Sequence, residues 1–191
     1  MPDTTTQLFI QMSGAPGSGK TTLARVIAPE IGAIIIDHDI TKTALLQANV
    51  DPLLAGKASY SVLASLANDL LQQGHSVIFD SPCFYEELLK NGQQMAKHAG
   101  AAYGYIECVV GDLAVLDGRL CNRTPLPSQV TAVFQTITDG NGKQHAGEAL
   151  FQNWIANMKR PQNNYLILDT NQPIENCLDN AMAYLQTIQT S

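Results

Sequence analysis

Apolar residues along the chain fall into short continuous runs and longer stretches with a helical period. The continuous runs are rich in β-branched and aromatic residues, as in strands buried on both faces of a sheet. They span residues 8–12, 33–36, 75–80, 103–110 and 165–169. Apolar residues spaced three or four apart predict helices. These stretches span residues 21–27, 41–49, 60–73, 85–98, 112–121, 146–159 and 174–188.

This alternation of strands with helices predicts an α/β fold whose parallel sheet is covered on both faces. Right-handed crossovers between the strands make such a chain a three-layer α/β/α sandwich. The length of 191 residues favours a single domain over residues 1–191. Residues 124–145 lack a clear period, apart from a turn signal at residues 139–142. A loop of that length inside a compact domain is usually functional or mobile.

The composition narrows the class of ligand. Hydrophobic residues make up 45% of the chain and charged residues 15%, so a sizeable core is expected. The formal net charge of -6 disfavours extended nucleic-acid binding, which needs many phosphate-neutralising lysines and arginines. A small anionic substrate is still compatible with this charge, because a few local cations suffice to hold one.

Export and membrane signals are not found in the sequence. Its polar start has no basic segment followed by an apolar run, and no stretch approaches the roughly 20 apolar residues of a membrane span. The four cysteines are widely spread and form neither a Cys-x-x-Cys pair nor a cluster of zinc spacing. We therefore expect reduced thiols and a cytoplasmic location.

The most specific signal is a glycine-rich segment directly after the first apolar run, with the pattern G-x-x-x-x-G-K-[ST]. Its residues are Gly14, Ala15, Pro16, Gly17, Ser18, Gly19, Lys20 and Thr21, followed by Thr22. The glycines let backbone N–H groups converge on phosphate oxygens, and the next helix adds its N-terminal donors. Lys20 is predicted to bridge the β- and γ-phosphates of a nucleotide, and Thr21 to place its hydroxyl on Mg²⁺.

Three aspartates stand where predicted strands end: Asp37, Asp39 and Asp80. At the carboxyl edge of an open parallel sheet they would lie beside the phosphate loop. If extended backbone continues through Asp39, it shares a face of the strand with Asp37. One would then hold a metal-bound water and the other accept a substrate proton, while Asp80 holds magnesium indirectly. The alternative for each is a turn aspartate that caps the next helix.

Arg119 and Arg123 are four residues apart, on one face of a predicted helix just before the segment without period. From there they would reach a transferred phosphoryl group and stabilise its developing charge. The alternative is an ordinary exposed helix face.

Several other residues are candidates for contacts with a ligand. Lys42 either pairs with Asp39 or contacts an anionic substrate. Thr170 follows the last predicted strand, where a contact with the nucleotide base is expected. Tyr60, Phe84 and Tyr85 either line an acceptor pocket or belong to the core.

With these residues, the chain resembles the P-loop kinases of the nucleoside-monophosphate-kinase-like group. The closest resemblance is to small AAA-type ATP-binding proteins that include zeta-toxin-like, chloramphenicol-phosphotransferase-like and polynucleotide-kinase-like enzymes. It rests on residues 14–24, 37–39, 77–80, the two arginines and residues 168–170. The resemblance implies a P-loop NTPase fold with a five-stranded parallel sheet in the order 2-3-1-4-5. It also implies a lid at about residues 119–146 and an acceptor-binding insertion at about residues 40–60.

Outside the phosphate loop, the chain matches the motifs of individual kinase families only in part. The aspartates around His38 are similar to the Asp-x-Asp pair of shikimate kinases, whose second aspartate orients the acceptor hydroxyl, and that role would fall on Asp39. The glycine-rich run that follows the third strand in shikimate kinases is absent, since residues 80–83 read Asp-Ser-Pro-Cys. Polynucleotide kinases carry an arginine three residues after their aspartate, and here Lys42 occupies that place.

The sequence therefore predicts an ATP- and Mg²⁺-dependent kinase that moves the γ-phosphoryl group to a hydroxyl of a small molecule. The catalytic residues of this hypothesis are Lys20, Asp39, Arg119 and Arg123. Its metal residues are Thr21, Asp37 and Asp80, and its ATP-binding residues are those at 14–22 together with Thr170. Two alternatives stay open, a polynucleotide 5′-kinase-like enzyme and a nucleotide-binding regulatory ATPase with weak transferase activity.

Overall fold

The computed structural model describes residues 6–138 and 143–190, so the turn predicted at residues 139–142 lies outside the described residues. The strands are β1 (Leu8–Ser13), β2 (Ala33–Asp37), β3 (Ser76–Asp80), β4 (Ala102–Val109), β5 (Thr136–Thr138), β6 (Gln144–Ala146) and β7 (Leu166–Asp169). The helices are α1 (Lys20–Ile31), α2 (His38–Gln47), α3 (Pro52–Gln72), α4 (Glu86–Ala99), α5 (Leu113–Cys121), α6 (Gly147–Ala156) and α7 (Ile174–Gln189).

The main sheet has the order β2-β3-β1-β4-β7, and all neighbouring strands are parallel. Since β7 is the fifth strand of this sheet, the expected order 2-3-1-4-5 is confirmed. Side chains of the central strand β1 alternate between two apolar layers. Leu8, Ile10 and Met12 pack with residues of α1 and α7, while Phe9 packs with residues of α3 and α4. The three-layer sandwich is confirmed as well.

Helix α3 begins earlier than the sequence pattern indicated. Apolar spacing predicted a helix over residues 60–73, but α3 starts at Pro52. A proline is well accommodated in the first turn, where its missing N–H would have no helical partner. The carboxylate of Asp51 accepts hydrogen bonds from the N–H groups of Leu53 and Leu54 and caps the helix. The segment at residues 40–60 is therefore formed by α2 and the first part of α3.

Helix α2 also begins earlier, at His38, immediately after β2. The carboxylate of Asp37 is its N-cap and accepts hydrogen bonds from the N–H groups of Asp39 at 2.7 Å and Ile40 at 3.3 Å. The expectation that Asp37 and Asp39 share a face of an extended strand is therefore wrong, because the backbone turns into a helix between them. Asp37 takes the helix-capping alternative.

The segment that lacks a clear period contains a short antiparallel hairpin of β5 and β6. Strands of three residues are too short for the sequence pattern to indicate. At the base of the hairpin, the N–H of Gly147 donates to the carbonyl of Gln135, and a Cβ at Gly147 would overlap the carbonyls of Val133 and Gln135. Across residues 6–138 and 143–190, no helix has the length and apolar content needed to cross a membrane.

Candidate active site

An open cleft of about 1390 Å³ lies at the carboxyl edge of the main sheet. The parallel order brings the ends of β1, β2, β3 and β7 to this edge, where ligands bind in open α/β sheets. The lining includes these residues that the sequence singled out: Lys20, Thr21, Asp37, Asp39, Lys42, Asp80, Arg119, Arg123 and Thr170. Residues from four strand ends and the helices beside them therefore meet in one cavity.

The loop between β1 and α1 has a backbone that only glycine tolerates well. Gly14, Gly17 and Gly19 have φ values of 130°, 83° and 90°. A Cβ at Gly14 would also overlap the carbonyl oxygen of Cys108 in the adjacent strand. Gly19 is the N-cap of α1 and has no side chain to cap it, so the first-turn N–H groups are available to an anion.

The ammonium group of Lys20 folds back onto this loop. Its Nζ donates hydrogen bonds to the carbonyls of Gly14 at 2.8 Å and Ala15 at 3.0 Å. Burial lowers the pKa of Lys20, and the negative charge of Asp80 opposes that effect. A phosphate group in the loop would provide the opposite charge that this buried cation favours.

Asp80 is a nearly fully buried carboxylate at the end of β3, with 3% of its surface exposed. Burial raises its pKa to about 6, although the charge of Lys20 and a hydrogen bond from Thr21 act in the other direction. In the part of the chain that the structure describes, its Oδ2 has no hydrogen-bond partner. A buried carboxylate oxygen without a partner, next to a hydroxyl and an ammonium group, fits a site for a metal-bound water.

Asp39 is held by the segment that follows α5. Its Oδ2 accepts a hydrogen bond from Nε2 of Gln129 at 2.7 Å, and its carbonyl accepts one from Ser128 at 2.9 Å. Its Oδ1 lies 3.5 Å from Nδ1 of His38. Burial alone would raise the pKa of Asp39, but the adjacent His38, the hydrogen bond from Gln129 and the charge of Lys20 outweigh it, so the pKa is lowered.

Sequence reasoning missed Gln129 and Ser128. They lie in the segment without a period, where no pattern distinguishes a contact residue from its neighbours. Thr43 of α2 also reaches this segment, since its hydroxyl donates to Ser128 at 2.9 Å. Lys42 lines the cleft, but within the described ranges it is not among the hydrogen-bond or ion-pair partners of Asp39.

The two arginines do not share a helical face, because α5 ends at Cys121 and Arg123 lies beyond it. The guanidinium of Arg119 donates to Oγ1 of Thr170 at 3.1 Å and to its carbonyl at 2.8 Å. Arg123 donates to the carbonyl of Val130 at 2.8 Å. Its Nε is buried and has no hydrogen-bond partner among residues 6–138 and 143–190, while the residue as a whole lines the cleft.

Thr170 connects the end of β7 to the phosphate loop. Its hydroxyl donates to the carbonyl of Ser18 at 2.7 Å, and its N–H donates to the carbonyl of Val109 at 3.0 Å. Thr170 and Arg119 therefore form one side of the cleft beside the loop. A contact between Thr170 and a nucleotide base stays a prediction.

Aromatic residues also line the cleft. Tyr60 and Phe84 lie there together with Tyr85 and Trp154. Tyr60 stacks on His38 with ring centroids 4.2 Å apart, and Phe84 stacks on Trp154 at 5.6 Å. Sequence alone left Tyr60, Phe84 and Tyr85 between pocket and core and gave Trp154 no role.

Comparison with known proteins agrees with this architecture. A family model described as an AAA domain matches residues 9–139, which is more than half of the chain. Among curated proteins, none matches the sequence.

Three solved structures resemble the chain over nearly its whole length. A sugar kinase from Janibacter sp. HTCC2649 is 20% identical, with a TM-score of 0.63 and 95% of both chains covered. A gluconokinase from Sinorhizobium meliloti 1021 is 19% identical, with a TM-score of 0.61 and coverage of 95% of this chain and 93% of that one. The APS kinase CysC of Mycobacterium tuberculosis, in complex with AMPPNP and APS, is 14% identical, with a TM-score of 0.62 and coverage of 95% and 98%. At these identities the likeness shows the fold, and the resemblance to P-loop kinases of the nucleoside-monophosphate-kinase-like group is confirmed.

Proposed function

The chain belongs to the AAA domain family, and from that premise we propose that it is a kinase that moves the γ-phosphoryl group of ATP to a hydroxyl of a small molecule. One observation supports this most strongly. The buried ammonium of Lys20 and the carboxylate of Asp39 line the same cleft and interact electrostatically, although they come from different helices. A phosphate cradle and an ionised carboxylate on one cavity are what transfer to a hydroxyl requires.

ATP is the proposed donor. The loop and the first turn of α1 would hold its phosphates, and Lys20 would turn from the carbonyls of Gly14 and Ala15 to the β- and γ-phosphates. The side of the cleft formed by Arg119 and Thr170 would bound the base. The similar APS kinase structure contains AMPPNP and APS, which supports a nucleotide together with a small acceptor for this fold.

In the proposed reaction, the acceptor oxygen forms a bond to the γ-phosphorus while the bond from that phosphorus to the β–γ bridging oxygen breaks. ADP leaves, and the hydroxyl proton passes to Asp39. The lowered pKa of Asp39 keeps it ionised at neutral pH. Such a carboxylate is a weak base, so its main contribution would be to orient the hydroxyl, with proton transfer late in a loose transition state.

Cations would stabilise the charge on the transferred group. Lys20 and Arg123 line the cleft, and both interact electrostatically with Asp39. Arg119 was assigned the same role from the sequence. Both of its guanidinium contacts go to Thr170, so a contribution to the phosphoryl group would need it to leave that residue.

Magnesium is the proposed metal, and it would neutralise charge that develops between the β- and γ-phosphates. Thr21 would hold it directly and Asp80 through water. Asp37 caps α2 with its Oδ1, so it would act through water at its Oδ2. The unpartnered Oδ2 of Asp80 fits this arrangement. No group of three His, Cys, Asp or Glu side chains among the described residues could hold a metal ion unaided. Phosphate oxygens and water would therefore supply most ligands, as is usual for Mg²⁺.

The two other functions have less support. A polynucleotide 5′-kinase would need a basic path for a nucleic-acid backbone, and the chain carries a net charge of -6. A regulatory ATPase would not need an ionised carboxylate in the same cleft as Lys20.

The substitution Asp39→Asn tests the proposal. ADP formation is measured with a panel of alcohols, and affinity for an ATP analogue by titration. We expect transfer to fall about 100-fold or more, while the affinity for the analogue stays within about threefold, because asparagine keeps the shape and loses the negative charge. Asp179→Asn on the exposed face of α7 is the matched control and should change neither quantity. Transfer by Asp39→Asn at the wild-type rate would contradict the proposal.

A further inference from the structure

His38 is a buried histidine next to the proposed catalytic carboxylate. It is 7% exposed and lies in the first turn of α2, immediately before Asp39. Neighbouring residues of a helix do not normally face each other, yet Nδ1 of His38 lies 3.5 Å from Oδ1 of Asp39. The side chain of His38 is 9% exposed and that of Asp39 is 37% exposed. The imidazole is therefore buried, while the carboxylate beside it is accessible in the cleft.

Two residues of α3 fix the orientation of this imidazole ring. The ring of Tyr60 stacks on His38 with centroids 4.2 Å apart and an interplanar angle of 28°. The hydroxyl oxygen of Ser59, a fully buried residue, lies 3.0 Å from Nε2 of the imidazole. One face of the imidazole and one of its nitrogens are therefore in contact with α3, so the other nitrogen is held toward Asp39.

The contacts of the two ring nitrogens determine where the imidazole carries its proton. An ionised carboxylate only accepts hydrogen bonds, so a bare Nδ1 would direct a lone pair at Oδ1 of Asp39 and be repelled. Ser59 is compatible with either state of Nε2. Its hydroxyl donates to a bare Nε2, or it donates to the carbonyl of Gly56 at 2.9 Å and its oxygen accepts from a protonated Nε2. Both arrangements place a proton on Nδ1.

The buried Nδ1 has no hydrogen-bond partner in the part of the chain that the structure describes. Buried polar groups are normally paired, so an unpaired one requires an explanation. Oδ1 of Asp39, at 3.5 Å, is an acceptor that a small movement would bring into range. A change of about half an ångström is enough for a hydrogen bond, and such contacts of catalytic groups commonly tighten when a substrate binds.

Each oxygen of the Asp39 carboxylate then has a contact of its own. Gln129 donates to Oδ2 at 2.7 Å, and His38 faces Oδ1. A carboxylate offers about four acceptor positions on its two oxygens, so positions are left for a substrate hydroxyl. Lys20 and Arg123 also act on Asp39, but they do so through their charge, which imposes no particular orientation on the carboxylate.

We propose that His38 is a positioning residue, which orients the carboxylate of Asp39 toward the acceptor hydroxyl through the proton on Nδ1. This inference rests on the proposed kinase function and adds a residue to its site. The acceptor proton still passes to Asp39, and His38 keeps its own. The alternative is that His38 only connects α2 to α3 through Ser59 and Tyr60. The two roles depend on different nitrogens of the ring.

Two substitutions separate the roles of the ring nitrogens. In His38→Asn the side-chain amide lies near the former position of Nδ1, and in His38→Gln it lies near that of Nε2. Both amides can donate hydrogen bonds. Both variants lose the ring and its stacking on Tyr60, so this loss does not distinguish them. His98→Gln, on the exposed side of α4, is the matched control.

Transfer is measured as ADP formation with ATP, Mg²⁺ and a panel of sugars, sugar acids and nucleosides. We expect the kcat of His38→Gln to be about threefold to tenfold below that of His38→Asn, because Oδ1 of Asp39 loses its donor in the glutamine variant. The KM for ATP should agree within about twofold between the two variants, since neither substitution changes the phosphate loop. His98→Gln should keep the wild-type values.

A spectrum of the wild type tests the position of the proton without any substrate. In the full chain labelled with ¹⁵N, long-range ¹H–¹⁵N correlations distinguish a protonated ring nitrogen from a bare one. The sequence has four histidines, and the ring signals of His38 are assigned through its backbone resonances. We expect Nδ1 of His38 to be protonated at about pH 8. If thermal unfolding shows that either variant does not fold, this wild-type spectrum decides alone.

The outcomes separate this proposal from the kinase function. A bare Nδ1, or a kcat of His38→Gln equal to or above that of His38→Asn, would show that His38 does not position Asp39, while transfer by the wild type would still support the kinase function. A protonated Nδ1 with the expected order of kcat supports both. If Nδ1 is protonated but the wild type phosphorylates none of the alcohols, the kinase function fails and the contact with Asp39 stands.

Discussion

Replacing Asp80 with asparagine should make the nucleotide-free protein more stable and a poorer enzyme. The carboxylate is 3% exposed, and burial raises its pKa from 3.8 to about 6 despite the opposing effects of Lys20 and Thr21. A carboxyl group whose pKa is raised by folding binds its proton more tightly in the folded state. Ionised Asp80 therefore opposes folding, and asparagine removes that charge at every pH.

The dependence on pH follows from the direction of this shift. As the pH rises from 3.8 through about 6, Asp80 ionises in the unfolded chain before it ionises in the folded protein. Stability falls over this range and stays lower above it. A difference of about two in pKa corresponds to about 3 kcal/mol. We expect a gain of about 1–3 kcal/mol, because Lys20 loses a partner, and hence a Tm increase of roughly 3–10 °C.

Thermal unfolding in EDTA at about pH 8 and about pH 5 measures this effect. Asp80→Asn should melt above the wild type at the higher pH, and the difference should shrink at the lower pH, where wild-type Asp80 carries a proton. Asp179→Asn changes the net charge equally on an exposed surface and should show no such difference. Mg²⁺ with an ATP analogue should raise the Tm of the wild type more than that of Asp80→Asn. A Tm of Asp80→Asn at or below that of the wild type at the higher pH would show that the buried charge does not oppose folding.

Two further substitutions test contacts that the sequence did not indicate. Gln129→Ala removes the 2.7 Å hydrogen bond to Asp39, so the pKa of Asp39 should rise and the acid side of the pH–rate profile should move to higher pH, with kcat lowered about threefold to tenfold. An unchanged profile would show that Gln129 does not act through Asp39. Arg160→Met leaves the carboxylate of Glu107, which is 2% exposed and accepts bonds at 2.6 and 2.8 Å, without its partner. Urea unfolding should show a loss of about 1–3 kcal/mol, and Glu107→Gln in the same chain should recover part of it.

The phosphate loop could be predicted from sequence because its geometry is local. Gly14, Gly17 and Gly19 need positive φ values, and the residues that cradle a phosphate are consecutive in the chain. The alternation of elements likewise depends on short-range periodicity, and it led to the correct three-layer sandwich. The order of the strands came from resemblance to a family, since periodicity does not determine which strands are neighbours.

Predictions that assumed continuation of an element were less accurate. Asp37 and Asp39 were expected to share a strand face, but the side chain of Asp37 satisfies the first N–H groups of α2 and ends the strand there. Arg119 and Arg123 were expected on one helix face, but α5 ends between them. In both cases a single cap position changed the direction of the next functional side chain. Element boundaries are the least certain result of pattern reasoning, and functional residues concentrate at such boundaries.

The aromatic lining of the cleft could not be predicted, because it is formed by contacts between residues that are distant in the sequence. Tyr60 lines the cleft as part of a helix that starts at Pro52, eight residues before the start that apolar spacing predicted. Trp154 of α6 stacks on Phe84. The hairpin that precedes α6 has strands too short to show a period, so the sequence pattern did not indicate this contact. Local patterns therefore locate the phosphate loop, whereas the shape of the rest of the cleft depends on how α3, the β3–α4 connection and α6 pack together.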